Sequence, residues 1–117
     1  MTRAILCLPL LATLAAPAHA TGGLICSTAG AHLIEVGVVI GHTTVSSVVQ
    51  ARLTDDGRTV PVIVAQSWLE PNEIRLDLTD PNAERHELRL SARSKGDHYD
   101  GSIWRHGKRH WVRCRES

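Results

Sequence analysis

The chain has 117 residues, with 13 Lys+Arg against 12 Asp+Glu and a formal net charge of +1. A balance this even gives no global electrostatic argument for nucleic acid as a partner, and a chain this short holds one small domain. It contains no Phe, so the interior has to be built from Val, Ile, Leu and Ala.

Residues 1–20 read as a leader rather than as part of the fold. Arg3 supplies a short basic start, residues 4–16 are apolar, and Ala18-His19-Ala20 has the small-x-small form of a signal-peptidase site. Pro9 and Pro17 interrupt the apolar run, which is too short to span a membrane. Cleavage after Ala20 implies an exported product, periplasmic or secreted. The domain is then residues 21–117, with 12 Lys+Arg against 12 Asp+Glu because only Arg3 departs.

Cys7 leaves with the leader, so two cysteines remain, Cys26 and Cys114. An even count in an oxidising compartment predicts a single disulfide between the two ends of the domain. Closing so long a loop stabilises by roughly 4–5 kcal/mol on the chain-entropy account.

In chain order, residues 21–23 form a lead-in and Leu24-Ile25-Cys26 starts a strand that turns at Ala29-Gly30. Residues 32–40 set Ile34, Val36, Val38 and Ile40 on one face and Glu35 and Gly37 on the other, a period of two. Residues 45–53 follow, with Val45, Val49, Ala51 and Leu53 expected inward. Asp55-Asp56-Gly57 is a hairpin turn, and residues 60–65 a β-branched strand with Pro61 near its entry. Glu70-Pro71-Asn72-Glu73 is a further turn. Residues 74–78 and 87–92 alternate cleanly, joined by residues 79–84 with room for one helical turn. The last stretch, 100–114, reads as a hairpin about a Gly107-Lys108 type II′ turn. That register sets Trp104 opposite Trp111, Arg105 opposite His110 and Gly101 opposite Cys114.

About eight short strands with no amphipathic helix predict an all-β domain, a small antiparallel β-barrel in meander order. An open β-sandwich is the alternative. A disulfide between first and last strands favours the barrel, because those strands must then be neighbours.

Motifs for catalysis are missing. Ser46 and Ser47 sit mid-strand without a nucleophile-elbow pattern. The cysteines are used by the bridge, and the acid pairs Asp55/Asp56 and Glu70/Glu73 mark turns, where acids serve solubility and backbone hydrogen bonding. No enzyme activity, cofactor or metal site is expected. His106 and His110 fall on opposite faces of the hairpin and so do not chelate one ion together.

The terminal hairpin is the sharpest candidate surface. Trp104, His106, Arg109, Trp111 and Arg113 share one of its faces. Indoles flanked by guanidinium groups suit a sugar face or a polyanion such as an envelope glycan. With no Phe in the chain, the opposite expectation is that these tryptophans, and Trp68 with them, do the bulk packing.

Two patterns carry a family resemblance. One is a first-strand cysteine matched by a cysteine at the very end, Cys26 and Cys114. The other is Ser94-Lys95-Gly96-Asp97-His98-Tyr99 followed by Gly101, Trp104 and Gly107. In these the chain resembles the periplasmic and membrane-bound inhibitors of c-type lysozyme, though Lys95 is an insertion and Ile25 stands where that family has a tyrosine. The resemblance implies a small antiparallel barrel, lysozyme as a protein partner, and Ser94, Gly96 and Tyr99 as residues of an inhibitory loop. The expected function is therefore that of an exported, non-enzymatic binding module. Its ligand is a protein of this kind, an envelope glycan or polyanion, or, as in lipocalins, a small apolar molecule inside the barrel.

Overall fold

A computed structural model describes residues 21–42 and 46–117. The expected leader and Val45 lie outside the described residues. The domain is all-β: β1 (Thr21–Thr28), β2 (Ile34–His42), β3 (Ser46–Asp55), β4 (Arg58–Val60), β5 (Ile63–Glu70), β6 (Glu73–Thr79), β7 (His86–Ser94), β8 (His98–Arg105) and β9 (Lys108–Glu116). All pairings are antiparallel, in one sheet of order β4-β3-β2-β1-β9-β8-β7-β6-β5. The sheet curls strongly, as the barrel expectation requires.

The ladder between β1 and β9 sets this order. Cys26 lies directly opposite Cys114, and the two are joined as a disulfide across 88 residues of sequence. Such a bond is compatible with an oxidising, exported compartment. With first and last strands paired, the edges of the sheet fall to β4 and β5. The chain steps between those edges through Pro61 and Val62, and β5 packs close to β3 with no ladder between them. Pro61 has no N–H to give to a ladder, and the break in pairing occurs there. The single strand expected over 60–65 is therefore two strands. No helix occurs among the described residues: the 79–84 link is instead a tight loop held by Asp80. The buried Asp80 carboxylate accepts from the backbone N–H of Glu84 and Arg85, while Ala83 takes a positive φ of 58°.

Alternation builds the core. Ile34, Val36 and Val38 on β2, Ile74, Leu76 and Leu78 on β6, and Leu88 and Leu90 on β7 all point inward and are almost fully buried. Each contributes on the order of 1.5–3 kcal/mol relative to exposure. On β3 the pattern shifts, because a bulge opposite Val39 and Ile40 leaves Val49 out of the ladder and Val48 pairs with Ile40. Val48 is buried, so the extra residue interrupts the simple alternation expected from Val49 to Leu53. On β8, Gly101 allows an unusually close approach: a Cβ there would land on the Ser91 carbonyl and within 2.5 Å of Ala92 Cα on β7.

Two measurements check these constraints. Replacing both cysteines with alanine should lower the free energy of unfolding by ~4 kcal/mol, read by urea titration. Gly101→Ala should lower it as well, since two neighbouring backbones would have to part, and a midpoint equal to wild type would show that the close approach is not needed.

Candidate functional site

The β8–β9 turn is a residue earlier than expected. His106 and Gly107 occupy it with φ of 53° and 73°, the positive pair of a type I′ loop. Arg105 therefore pairs with Lys108, Trp104 with Arg109, Ser102 with Trp111, Gly101 with Val112 and Tyr99 with Cys114. Trp104 and Trp111 are diagonal neighbours rather than directly opposed. Moving a two-residue loop by one position shifts the register by two, so every side chain keeps its face. Trp104, Arg109, Trp111 and Arg113 keep the one face expected of them, and it is the outer one, with His106 exposed at the tip.

The tryptophans do not pack the interior. Trp104 is 48 % exposed, and Trp68 and Trp111 are each 51 % exposed. Aliphatic side chains fill the interior among the described residues, which removes the reason for expecting indole there. The Arg113 guanidinium lies 5.2 Å from the Trp111 ring and donates two hydrogen bonds to Asp100, at 2.7 and 3.1 Å. That bidentate contact holds the Asp100 carboxyl below its ordinary pKa and raises Arg113. Arg109 Nε donates to Ser102 Oγ at 2.9 Å. Both arginines are thus steered across the outer face, each beside an indole.

The loop named by the family resemblance lies at the β7–β8 hairpin. Lys95 N–H donates to the His98 carbonyl, and Gly96 takes a φ of 100°. Gly96 and Asp97 are exposed at its tip and Ser94 is half-buried. Tyr99 turns inward and packs against the core. Asp97 and His98 are joined at 2.7 Å, a contact that lowers the Asp97 pKa. This loop borders an open cleft of about 820 Å³ at one end of the sheet, with Leu24, Ile40, Leu69 and Tyr99 among its walls.

At the end of the sheet that carries the β8–β9 turn, sequence reasoning missed a buried ion cluster. The Arg105 side chain is only 6 % exposed. Its Nε donates to Asp55 Oδ2 at 2.5 Å, and its Nη1 donates to the Glu87 carbonyl and to Glu87 Oε1 at 2.9 and 3.0 Å. His32 Nε2 meets the other Asp55 oxygen at 2.6 Å, and the His32 ring stands edge-on to His110 with centroids 5.6 Å apart. Asp55 is therefore not simply a solvated turn acid. It ties the β3 end to the β8 end, 50 residues away in sequence. Glu87 sits at the β6–β7 irregularity, between the paired residues His86 and Leu88. Neither long-range partner had a local signal in the chain.

No protein family, curated protein or solved structure matches this chain.

The cluster makes a stability prediction with a definite sign. Burial pushes the Asp55 carboxyl up, but hydrogen bonds from His32 and Arg105, with their charges, outweigh it and leave the pKa below its ordinary 3.8. A depressed carboxylate pKa contributes stability that is present above the unfolded-state value and lost as pH falls through the folded-state value. Urea-unfolding free energy should thus hold near neutrality and fall below about pH 4. Arg105→Met should cost ~3 kcal/mol at pH 7, because two carboxylates lose their buried counter-charge. It should also flatten the acid limb, and an unchanged limb would remove Asp55 from this role.

Proposed function

We propose that the protein is an exported, non-enzymatic binding module, periplasmic or secreted, whose outer hairpin face takes an anionic envelope glycan. The observation that carries this reading is the half-exposure of Trp104 and Trp111 among Arg109, Arg113 and Ser102 on one sheet surface. Indole faces stack on the apolar side of a sugar ring. Guanidinium groups supply planar, charge-assisted hydrogen bonds to carboxylate, phosphate or sulfate, and hydroxyls complete the set.

The pattern is less suited to a protein partner. Stable protein interfaces centre on contiguous apolar area depleted of charge, with a polar rim. Here each indole is fenced by charged or hydroxylated neighbours on the adjoining strand. A lysozyme-inhibitor role would rest on the 94–99 loop, where the inward turn of Tyr99 leaves Lys95, Gly96 and Asp97 to meet a partner. A carrier role would need a lined chamber where Leu76, Leu90 and Ile103 now pack.

Titration of tryptophan fluorescence with carboxylated and sulfated oligosaccharides tests the glycan reading. Trp104→Ala or Arg109→Ala should weaken binding by about tenfold, and raising salt should weaken it further. Fluorescence indifferent to every anionic glycan tried would overturn the reading. Loss of lysozyme activity on adding the purified protein would instead favour the inhibitor.

A further inference from the structure

Registers continue the outer face well beyond the hairpin. Trp68 pairs with Arg75, Arg75 with Ser91, Ser91 with Ser102 and Ser102 with Trp111, so one row crosses five strands from β5 to β9. The next row runs Asp77, Arg89, Trp104, Arg109. At about 4.8 Å per strand, Trp68 and Trp111 stand ~19 Å apart along the curved surface.

The two ends of the first row repeat one arrangement. The Arg75 guanidinium lies 5.2 Å from the Trp68 ring, as the Arg113 guanidinium lies 5.2 Å from Trp111. Both indoles are 51 % exposed. Between them the row carries only the small hydroxyls of Ser91 and Ser102, which keeps its centre low. Two shallow clefts lie along this surface. One, of about 490 Å³, has Trp68, Arg75, Asp77 and Arg89 in its walls. The other, of about 430 Å³, has Arg89, Trp104, His86 and His106. Arg89 borders both, and donates to Asp77 at 2.9 Å while remaining more than half exposed.

Charge on this surface has one sign in excess. Across the outer faces of β6 to β9 stand Arg75, Arg89, Arg93, Arg109, Arg113 and Arg115, against Glu73, Asp77 and Asp100. The whole chain is nearly neutral, so this excess is local. A repeated indole–guanidinium unit at two ends of a low, hydroxylated, basic strip matches an extended polymer that repeats its own chemistry.

We propose that the binding surface is a continuous track from Trp111 and Trp104 over Arg89 to Trp68, occupied by a linear anionic polysaccharide lying across the strands. This rests on the glycan reading of the hairpin and adds to it a second anchor on β5, with Arg89 between the two. Linked contacts at separate anchors act as one multivalent ligand, so affinity rises steeply once the chain is long enough to reach both.

Oligogalacturonates and heparin-derived oligosaccharides, each as disaccharide and hexasaccharide, separate the possibilities when titrated against wild type, Trp68→Ala, Arg89→Gln and Trp104→Ala. In at least one series the wild-type protein should bind the hexasaccharide more than about tenfold tighter than the disaccharide. Trp68→Ala should abolish that gain, while Trp104→Ala weakens binding at both lengths and Arg89→Gln lowers hexasaccharide affinity more than disaccharide affinity. Trp68 is an exposed side chain, and a thermal midpoint near wild type confirms that its variant is folded. If hexasaccharide affinity survives Trp68→Ala while Trp104→Ala weakens it, the site is confined to the hairpin and the track is wrong. If neither series binds the wild-type protein at any length, the glycan reading fails and the track with it.

Discussion

Pairing of β1 with β9 is the constraint on which the rest of the domain depends. A meander of nine strands would ordinarily leave its first and last strands as the edges. Here those two form an interior ladder, with Cys26 and Cys114 face to face inside the core. The edges then have to fall elsewhere, and they fall on either side of Pro61, where the backbone lacks a donor. Short β4 and poorly covered β5 follow from that displacement. So does the exposure of Trp68, which sits on an edge strand whose side chains are mostly solvated.

The same pairing divides the labour between the two surfaces of the sheet. Inward positions are mostly aliphatic and almost fully buried; Arg105 enters among them, with its carboxylate partners brought to it from β3 and β7. Outward positions on β6 to β9 are a lattice of arginine, serine, carboxylate and indole. Register places these in rows across strands, so residues distant in sequence act as neighbours. Trp68 and Trp111 belong to one row even though 43 positions separate them in the chain.

Much of this was legible in the chain because period-two alternation and turn chemistry are local. Asp56-Gly57 and Pro71-Asn72 mark their turns directly, and two cysteines left after an expected leader admit one intramolecular pairing. That Trp104 and Trp111 share one face was legible for a subtler reason. Misplacing the hairpin loop by one residue, with Lys108 rather than His106 beside Gly107, moves partners but preserves parity, and parity decides which side chains share a face. Three features resisted. Positive φ at His106 is an unusual choice for a residue with a Cβ, so Gly107 looked like the first turn position. The bulge at Val49 is set by its pairing with β2. Burial of Arg105 depends on Asp55 and Glu87, which only the folded sheet brings together. The absence of Phe also misled, since aliphatic residues alone suffice to fill this interior.

The seam at Pro61 and Val62 has one more consequence. In space the strands run from β5 through β9, then β1 to β4, which is simple sequence order once the chain is read from Val62 onward. Ser117 N–H already donates to the Gly23 carbonyl, so the ends of the described domain lie side by side. A chain joined there and opened between Pro61 and Val62 would keep every ladder and the disulfide. It would be a plain linear meander, in which the β4 and β5 edges are also the two ends of the polypeptide.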